Sequence, residues 1–340
     1  MDTRLHFEAN ENSGYFVYPD ERPGTLLAEL DDLLDARESG RIDDNRYIDG
    51  LVQLLRLEPD FIDAHAHLSF VYLQNNNPQK ALRAALAGLK IGNRLIPEGF
   101  SGTIIWASSD NRPYLRALQG AILAYVNLRR HKDAVTLIDK LLTFNPNDNQ
   151  GIRLLLGSEL LRIGETERAA NVFAENASLY PPYYYEMGLL HILNNDWTQA
   201  ATALRQGFSN NFYIAEIICG CYQPQKLPIW HGTNYEQPRS AIAYIEMYGD
   251  RWYRHPEAQA FVRWLFNHSR ILAERASLMK CLEGLFTEKE LEARGHIIET
   301  HERILNGIDH RLSEEIVKKV RNLRGEENWP WMHTLGCTEI

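Results

Sequence analysis

Apolar residues recur every three or four positions along most of this chain, in pairs of segments separated by short polar turns. That spacing puts them on one face of a helix, so each pair reads as a helical hairpin. Between residues 62 and 93 the pattern runs Leu68, Ser69, Tyr72, then Asn76 and Pro78 at a turn, then Ala81, Ala85, Gly88, Leu89 and Ile91. Small residues at Ser69, Ala81 and Gly88 let two antiparallel helices approach closely, while Leu68, Tyr72 and Leu89 fill the space between them. The arrangement returns around Ala121, Tyr125, Ala134 and Ile138, around Gly157, Leu160, Ala169 and Phe173, and around Gly188, His191, Ala200 and Leu204. Further helices are predicted over residues 24–38 and 45–57 upstream, and over 238–248, 256–285 and 288–305 downstream, with Ser313 preceding a last helix that reaches about Leu323. The fold class is therefore all-α.

The anchor residues Ala81, Ala134, Ala169 and Ala200 are separated by 53, 35 and 31 positions. A hairpin recurring with small residues at these places and a period near 34 resembles the tetratricopeptide repeat. The resemblance implies a right-handed superhelical solenoid, in which stacked hairpins bury faces that none could bury alone. The first interval is about 19 residues too long for that period and marks an inserted loop at residues 94–113. Four regions follow: an acidic segment with capping helices (1–60), the repeats (61–215), a helical extension (216–325) and an aromatic tail (326–340).

The inserted loop carries Ile96-Pro97-Glu98-Gly99-Phe100-Ser101-Gly102 and Trp106, and ends in Asn111-Arg112-Pro113-Tyr114; a later turn reads Asn145-Pro146-Asn147-Asp148-Asn149-Gln150-Gly151. Together these motifs resemble a bacterial group of tetratricopeptide-type proteins, related in pattern to the family named for suppressor of tumorigenicity 7. That likeness implies a scaffold with no enzymatic role of its own. Some relatives carry zinc-binding appendages rich in closely spaced Cys and His, and this chain has no such segment. Locally, Pro146 stops one helix and Asp148 or Asn149 caps the next, while Pro113 opens another and biases Arg112 toward extended geometry. Trp106, Asn111, Arg112 and Arg153 either brace the loop or touch a ligand.

In stacked repeats the first helix of each hairpin lines the inner surface. Carried over position by position, the resemblance places Phe70, Arg116, Gln119, Leu123, Leu154, Ser158, Arg162, Tyr185 and Leu189 there as partner-binding residues. The implied groove is mostly apolar, with Arg116 and Arg162 set to orient an acidic or carbonyl group. Chaperone-binding relatives hold a C-terminal carboxylate in a polar clamp, whose positions here are Ala66, Phe70, Gly120, Gly151 and Leu155. An apolar concave face needs cover. Three occupants fit: a partner's helix or extended peptide, a second copy of the chain, or its own C-terminal helices. Asn328-Trp329-Pro330-Trp331-Met332 either docks internally or anchors a partner. Leu291, Ile298, Leu305 and Leu312, spaced by sevens, read as a helix packed on the solenoid end or as an exposed coiled-coil arm.

Charge narrows the choice of partner. Lys and Arg number 36 against 45 Asp and Glu, and the first 60 residues, with 15 acids and 6 bases, hold the whole excess of −9. Without a basic face, nucleic acid is not an expected partner. Four cysteines without paired spacing fit a reducing compartment. With neither a leader-like start nor a long uncharged apolar stretch, the expectation is a cytoplasmic protein off the membrane.

Candidate chemistry is sparse. Phosphate loops, nucleophile elbows and dinucleotide fingerprints are absent from the sequence, so neither a cofactor nor a metal is expected. His301-Glu302 begins like a zinc-protease helix, but Leu305 stands where the second histidine belongs. Cys219, Cys221 and His231 make three ligands without a fourth. Arg263 and His268 match the Arg-x4-His spacing of a helical ribonuclease family, as Arg303 and His310 match the Arg-x6-His variant. With 27 Arg and 12 His in 340 residues, each such spacing arises about once by chance. The final Thr338-Glu339-Ile340 has the form captured by strand-adding peptide domains. The reading is a non-enzymatic adaptor that binds a peptide or helix. The alternatives are a ribonuclease-like enzyme with an Arg263–His268 site at a dimer interface, or a homo-oligomeric structural subunit.

Overall fold

The computed structural model describes residues 5–18, 23–321 and 325–332. Helix accounts for 69% of it, in seventeen α-helices among the described residues, so the all-α expectation holds. None of these helices is long and apolar enough to cross a membrane. The chain divides into two compact units, residues 1–164 and 165–340.

The first unit opens with an antiparallel pair, β1 (His6–Ala9) and β2 (Gly14–Val17). It continues through α1 (Pro23–Glu38), α2 (Asp44–Leu57), α3 (Ile62–Gln74), α4 (Pro78–Leu95), α5 (Arg112–Asn127), α6 (His131–Phe144) and α7 (Arg153–Ile163). Side-chain caps set several of these starts: Asp43 accepts from the Arg46 N–H, and Asn77 accepts from the Lys80 N–H with Pro78 opening the helix. Small residues bring the helices together as their spacing predicts. A Cβ on Gly120 would sit 2.6 Å from Ser69 Oγ, and one on Gly92 would lie 2.3 Å from the Tyr114 ring. The β1–β2 pair was not predicted. It lies against the inserted loop, where the Gly14 N–H donates to Thr103 O (2.8 Å) and the Thr103 N–H to Asn12 O (2.9 Å). The loop is in turn tied to the end of α6 by Ile104 N–H to Phe144 O (2.7 Å).

The second unit holds α8 (Thr166–Asn176), α9 (Pro182–Leu193), α10 (Trp197–Asn210), α11 (Phe212–Ile218), α12 (Pro238–Tyr248), α13 (Asp250–Arg254), α14 (Pro256–Phe266), α15 (Ser269–Thr287), α16 (Leu291–Asn306) and α17 (His310–Ile316). Two-residue strands β3 (Val320–Arg321) and β4 (Glu327–Asn328) pair near its end. The predicted helix over 256–285 is two helices, because the His268 side chain accepts from the Arg270 N–H and caps a fresh start. Ser313 does not precede the last helix but sits buried within it. There it accepts from Thr202 Oγ1 at 2.8 Å and from Arg205 Nη1 at 3.0 Å. The aromatic tail docks internally: Trp331 is fully buried against Trp197, Phe261 and Trp264. The Thr338–Ile340 motif lies outside the described residues.

Each predicted hairpin turns through one left-handed residue: Asn76 (φ 52°), Arg129 (58°), Gly164 (85°) and Asn195 (59°). Asn and Gly adopt this conformation readily, whereas Arg129 does so against its steric preference. The turn is thus a recurring local feature, beside the recurring small residues.

Candidate functional site

Within the first unit, α3, α5 and α7 carry the residues assigned to the inner surface. Asp63 lies in the first turn of α3, where a carboxylate complements the helix dipole, yet its side chain is only 7% exposed. Burial of that charge is met from α5: Arg116 Nη1 donates to both carboxylate oxygens, at 3.0 and 2.8 Å. Their separation of 53 positions is that of Ala81 and Ala134, so acid and base occupy equivalent places in successive hairpins. One turn along α3, His67 Nε2 lies 3.7 Å from Asp63, and its Nδ1 is 3.1 Å from the Tyr47 hydroxyl. Arg37 covers the Tyr47 ring at 4.9 Å and donates to Asp44 and Gln74. Burial holds the His67 imidazole below its usual range and pushes the Tyr47 phenol up to about 12.

Tyr18, just past β2, reaches this cluster. Its hydroxyl is buried with no hydrogen-bond partner, and burial, then the nearby Asp63 and Asp110 carboxylates, push its ionisation far up. Trp106 completes the edge. The Arg112 and Arg116 guanidiniums lie 5.6 and 5.8 Å from its ring, and its carbonyl accepts from Arg112 Nε at 3.1 Å.

Further along the face, Gln119 Oε1 accepts from Gln150 Nε2 (2.8 Å), which also donates to Leu115 O (3.0 Å). Phe70, Leu123 and Leu154 are half-buried, which leaves part of each side chain available for contact. Ser158 is fully buried, its Oγ without a hydrogen bond, and Arg162 Nη1 donates back to the Ser158 carbonyl at 2.8 Å. Arg116 is thus paired in charge with Asp63 through Nη1, and Arg162 is bonded back to its own helix.

The loop residues brace. Asn111 is fully buried and bonded to Phe16, Gly14 and Ile105, while Arg153 Nη2 donates to Pro146 O at 2.8 Å. Asp148 accepts from the Ile152 and Arg153 N–H groups just ahead of α7, whose N-cap position is Ile152.

Tyr185 and Leu189, assigned to the groove, are fully buried in the second unit and correct that expectation. The Tyr185 hydroxyl donates to Asn211 O at 2.6 Å, and its ring meets Gly207. Glu186 of the same helix accepts from the Tyr244 hydroxyl of α12 at 3.0 Å. Residues that follow α10 thus bond to α9 from within the chain.

Arg263 is exposed, whereas His268 caps α15 and packs against Trp264 at 5.4 Å. Arg303 Nη2 donates to Thr300, and His310 Nδ1 pairs with Thr202 Oγ1. His231 is engaged by the Tyr213 hydroxyl and Ile229 O, and no three His, Cys, Asp or Glu among the described residues could hold an ion.

Sequence reasoning missed Tyr18, Tyr47 and Arg37, which come from elements outside the repeats. Asp63 and Arg116 were legible as opposite charges at one repeat position. No protein-family model matches the chain, and no curated protein matches it.

Proposed function

We propose that this chain is a non-enzymatic scaffold of tetratricopeptide type, whose first unit binds an extended or helical segment of another protein along α3, α5 and α7. The observation that carries this reading is the neutral, mixed character of that face. Half-buried Phe70, Leu123 and Leu154 stand beside an Arg116–Asp63 pair whose charges already cancel. Such a face suits apolar side chains and the carbonyl groups of a peptide, and it does not favour an acidic anchor, because a second carboxylate at Arg116 would meet Asp63. The half-buried Arg116, with only Nη1 committed to Asp63, orients a carbonyl.

The test is a displayed random-peptide library selected on the full chain, with the winning peptide titrated calorimetrically against wild type, Leu123→Asp and Phe70→Asp. Both substitutions are expected to weaken binding at least tenfold, since a charge on an apolar contact must be desolvated, while circular dichroism stays unchanged. Undiminished binding by both folded variants overturns the assignment. Loss of helicity in both would show the face to be core.

A further inference from the structure

We propose that α16 is a self-association surface and that its occupant is a second copy of this chain, packed antiparallel about Ile298. The proposal concerns the second unit and is independent of the peptide-binding reading.

Helix α16 runs sixteen residues without one that is fully buried. Its packing within the chain is against α15, where Gly284 lets Ile297 approach to 3.1 Å of a would-be Cβ. Arg294 Nη1 closes the turn between the two helices by donating to the Leu285 and Glu288 carbonyls. Pairing with α15 thus uses the side of α16 that carries Ile297 and Ile304. A different side holds Leu291, Ile298 and Leu305 at seven-residue intervals; Leu291 is 86% exposed, Ile298 39%, and Leu305 is half-buried. Between the first two, Gly295 has nothing within 4 Å of where its Cβ would lie, so another helix backbone can come close.

The charges along this stripe select the occupant. An antiparallel two-fold at Ile298 opposes positions equally far before and after it. Leu291 of one copy then faces Leu305 of the other, and Arg294 of one faces Glu302 of the other, with symmetry repeating each pair. Arg294 Nη2 and Nε make no hydrogen bond among the described residues, and Glu302 is exposed, so both are available for the pairing. A parallel arrangement would set Arg294 against Arg294 and Glu302 against Glu302. The stripe is therefore complementary to its own reverse, which a surface for an unrelated partner has no reason to be.

Sedimentation velocity of the full chain over a wide concentration range tests the proposal. Wild type is expected to show reversible dimerisation. Ile298→Asp should abolish it and Glu302→Arg should weaken it about tenfold, by turning two attractions into repulsions. Both positions are exposed, and circular dichroism confirms retained helix. Oxidative crosslinking reads the register: Ile298→Cys is expected to form a disulfide-linked dimer, whereas Leu291→Cys alone is not, relative to the wild-type background. A wild type monomeric at every concentration overturns the proposal, as does a dimer indifferent to both charge variants. Equal crosslinking from positions 291 and 298 overturns the antiparallel geometry.

Discussion

The Asn111 side chain and the Phe16 backbone meet across 95 residues of chain: the Phe16 N–H donates to Asn111 Oδ1 at 3.1 Å, in full burial. The same amide donates through Nδ2 to Ile105 O at 3.1 Å and to Gly14 O at 3.4 Å. One side chain thus satisfies three backbone groups from the strand β2 and the inserted loop, neither of which belongs to a repeat. That accounts physically for the asparagine of the Asn-Arg-Pro-Tyr motif, because an aliphatic residue of similar size would leave the buried Phe16 N–H without its acceptor.

Asn111→Ala is accordingly expected to destabilise the first unit by about 2 kcal/mol, the order of cost for stranding a buried backbone donor. Amide exchange at Phe16 should accelerate before the helices of that unit are affected, since the β1–β2 pair loses its tether while α5 keeps its own hydrogen bonds. Urea unfolding followed with residue-resolved exchange checks both. An unchanged midpoint with unchanged Phe16 protection would count against the clamp.

His67 gives the first unit a pH dependence with a definite sign. Burial lowers its basicity, and the groups around it are Tyr47 of α2, Asp63 of its own helix, Arg116 of α5, and Arg37 and Asp31 of α1. Its folded value lies below the unfolded one, about 6.5, so the unfolded chain takes up the proton first. Stability is whole above that pH and falls as pH drops through it toward the folded value. His65, His191, His231, His268 and His301 are also lowered by burial and act in the same direction. Urea titrations from about pH 7.5 to about pH 5.5 should show unfolding free energy declining, and His67→Gln should remove part of the slope. A flat profile, or a slope the substitution leaves intact, contradicts this.

Helical spacing located most of the helices because long amphipathic segments repeat their signal over several turns. The predicted 238–248 coincides with α12, and 45–57 differs from α2 by one residue at its start. The β1–β2 pair escaped because two four-residue strands offer little alternation. The cue was the polar run between them, in which Asn10 Oδ1 accepts from the Asn12 and Ser13 N–H groups. The break at His268 escaped because apolar periodicity continues across it. At the candidate site, repeat position implied exposure for Tyr185 and Leu189 as it did for Leu123. Which of them is covered depends on the rest of the chain, and a repeat pattern carries no information about the segments added after it.

Trp331 supplies the last prediction. Its indole is fully buried, with ring centroids 4.8 Å from Trp197, 4.6 Å from Phe261, 5.1 Å from Trp264 and 5.0 Å from the stacked Trp329. Trp331→Ala removes the ring that all four neighbours share and is expected to cost the second unit about 3–5 kcal/mol, the range for deleting a buried aromatic side chain. Tryptophan fluorescence should shift to the red and the second unit should unfold at lower urea, while the first unit's transition stays in place. None of the four neighbouring rings is among the residues assigned to the partner-binding face, so affinity for a selected peptide should be unchanged. A peptide bound more tightly by Trp331→Ala would mean that the tail competes for that face, and a variant as stable as wild type would mean that the tail is not docked as described.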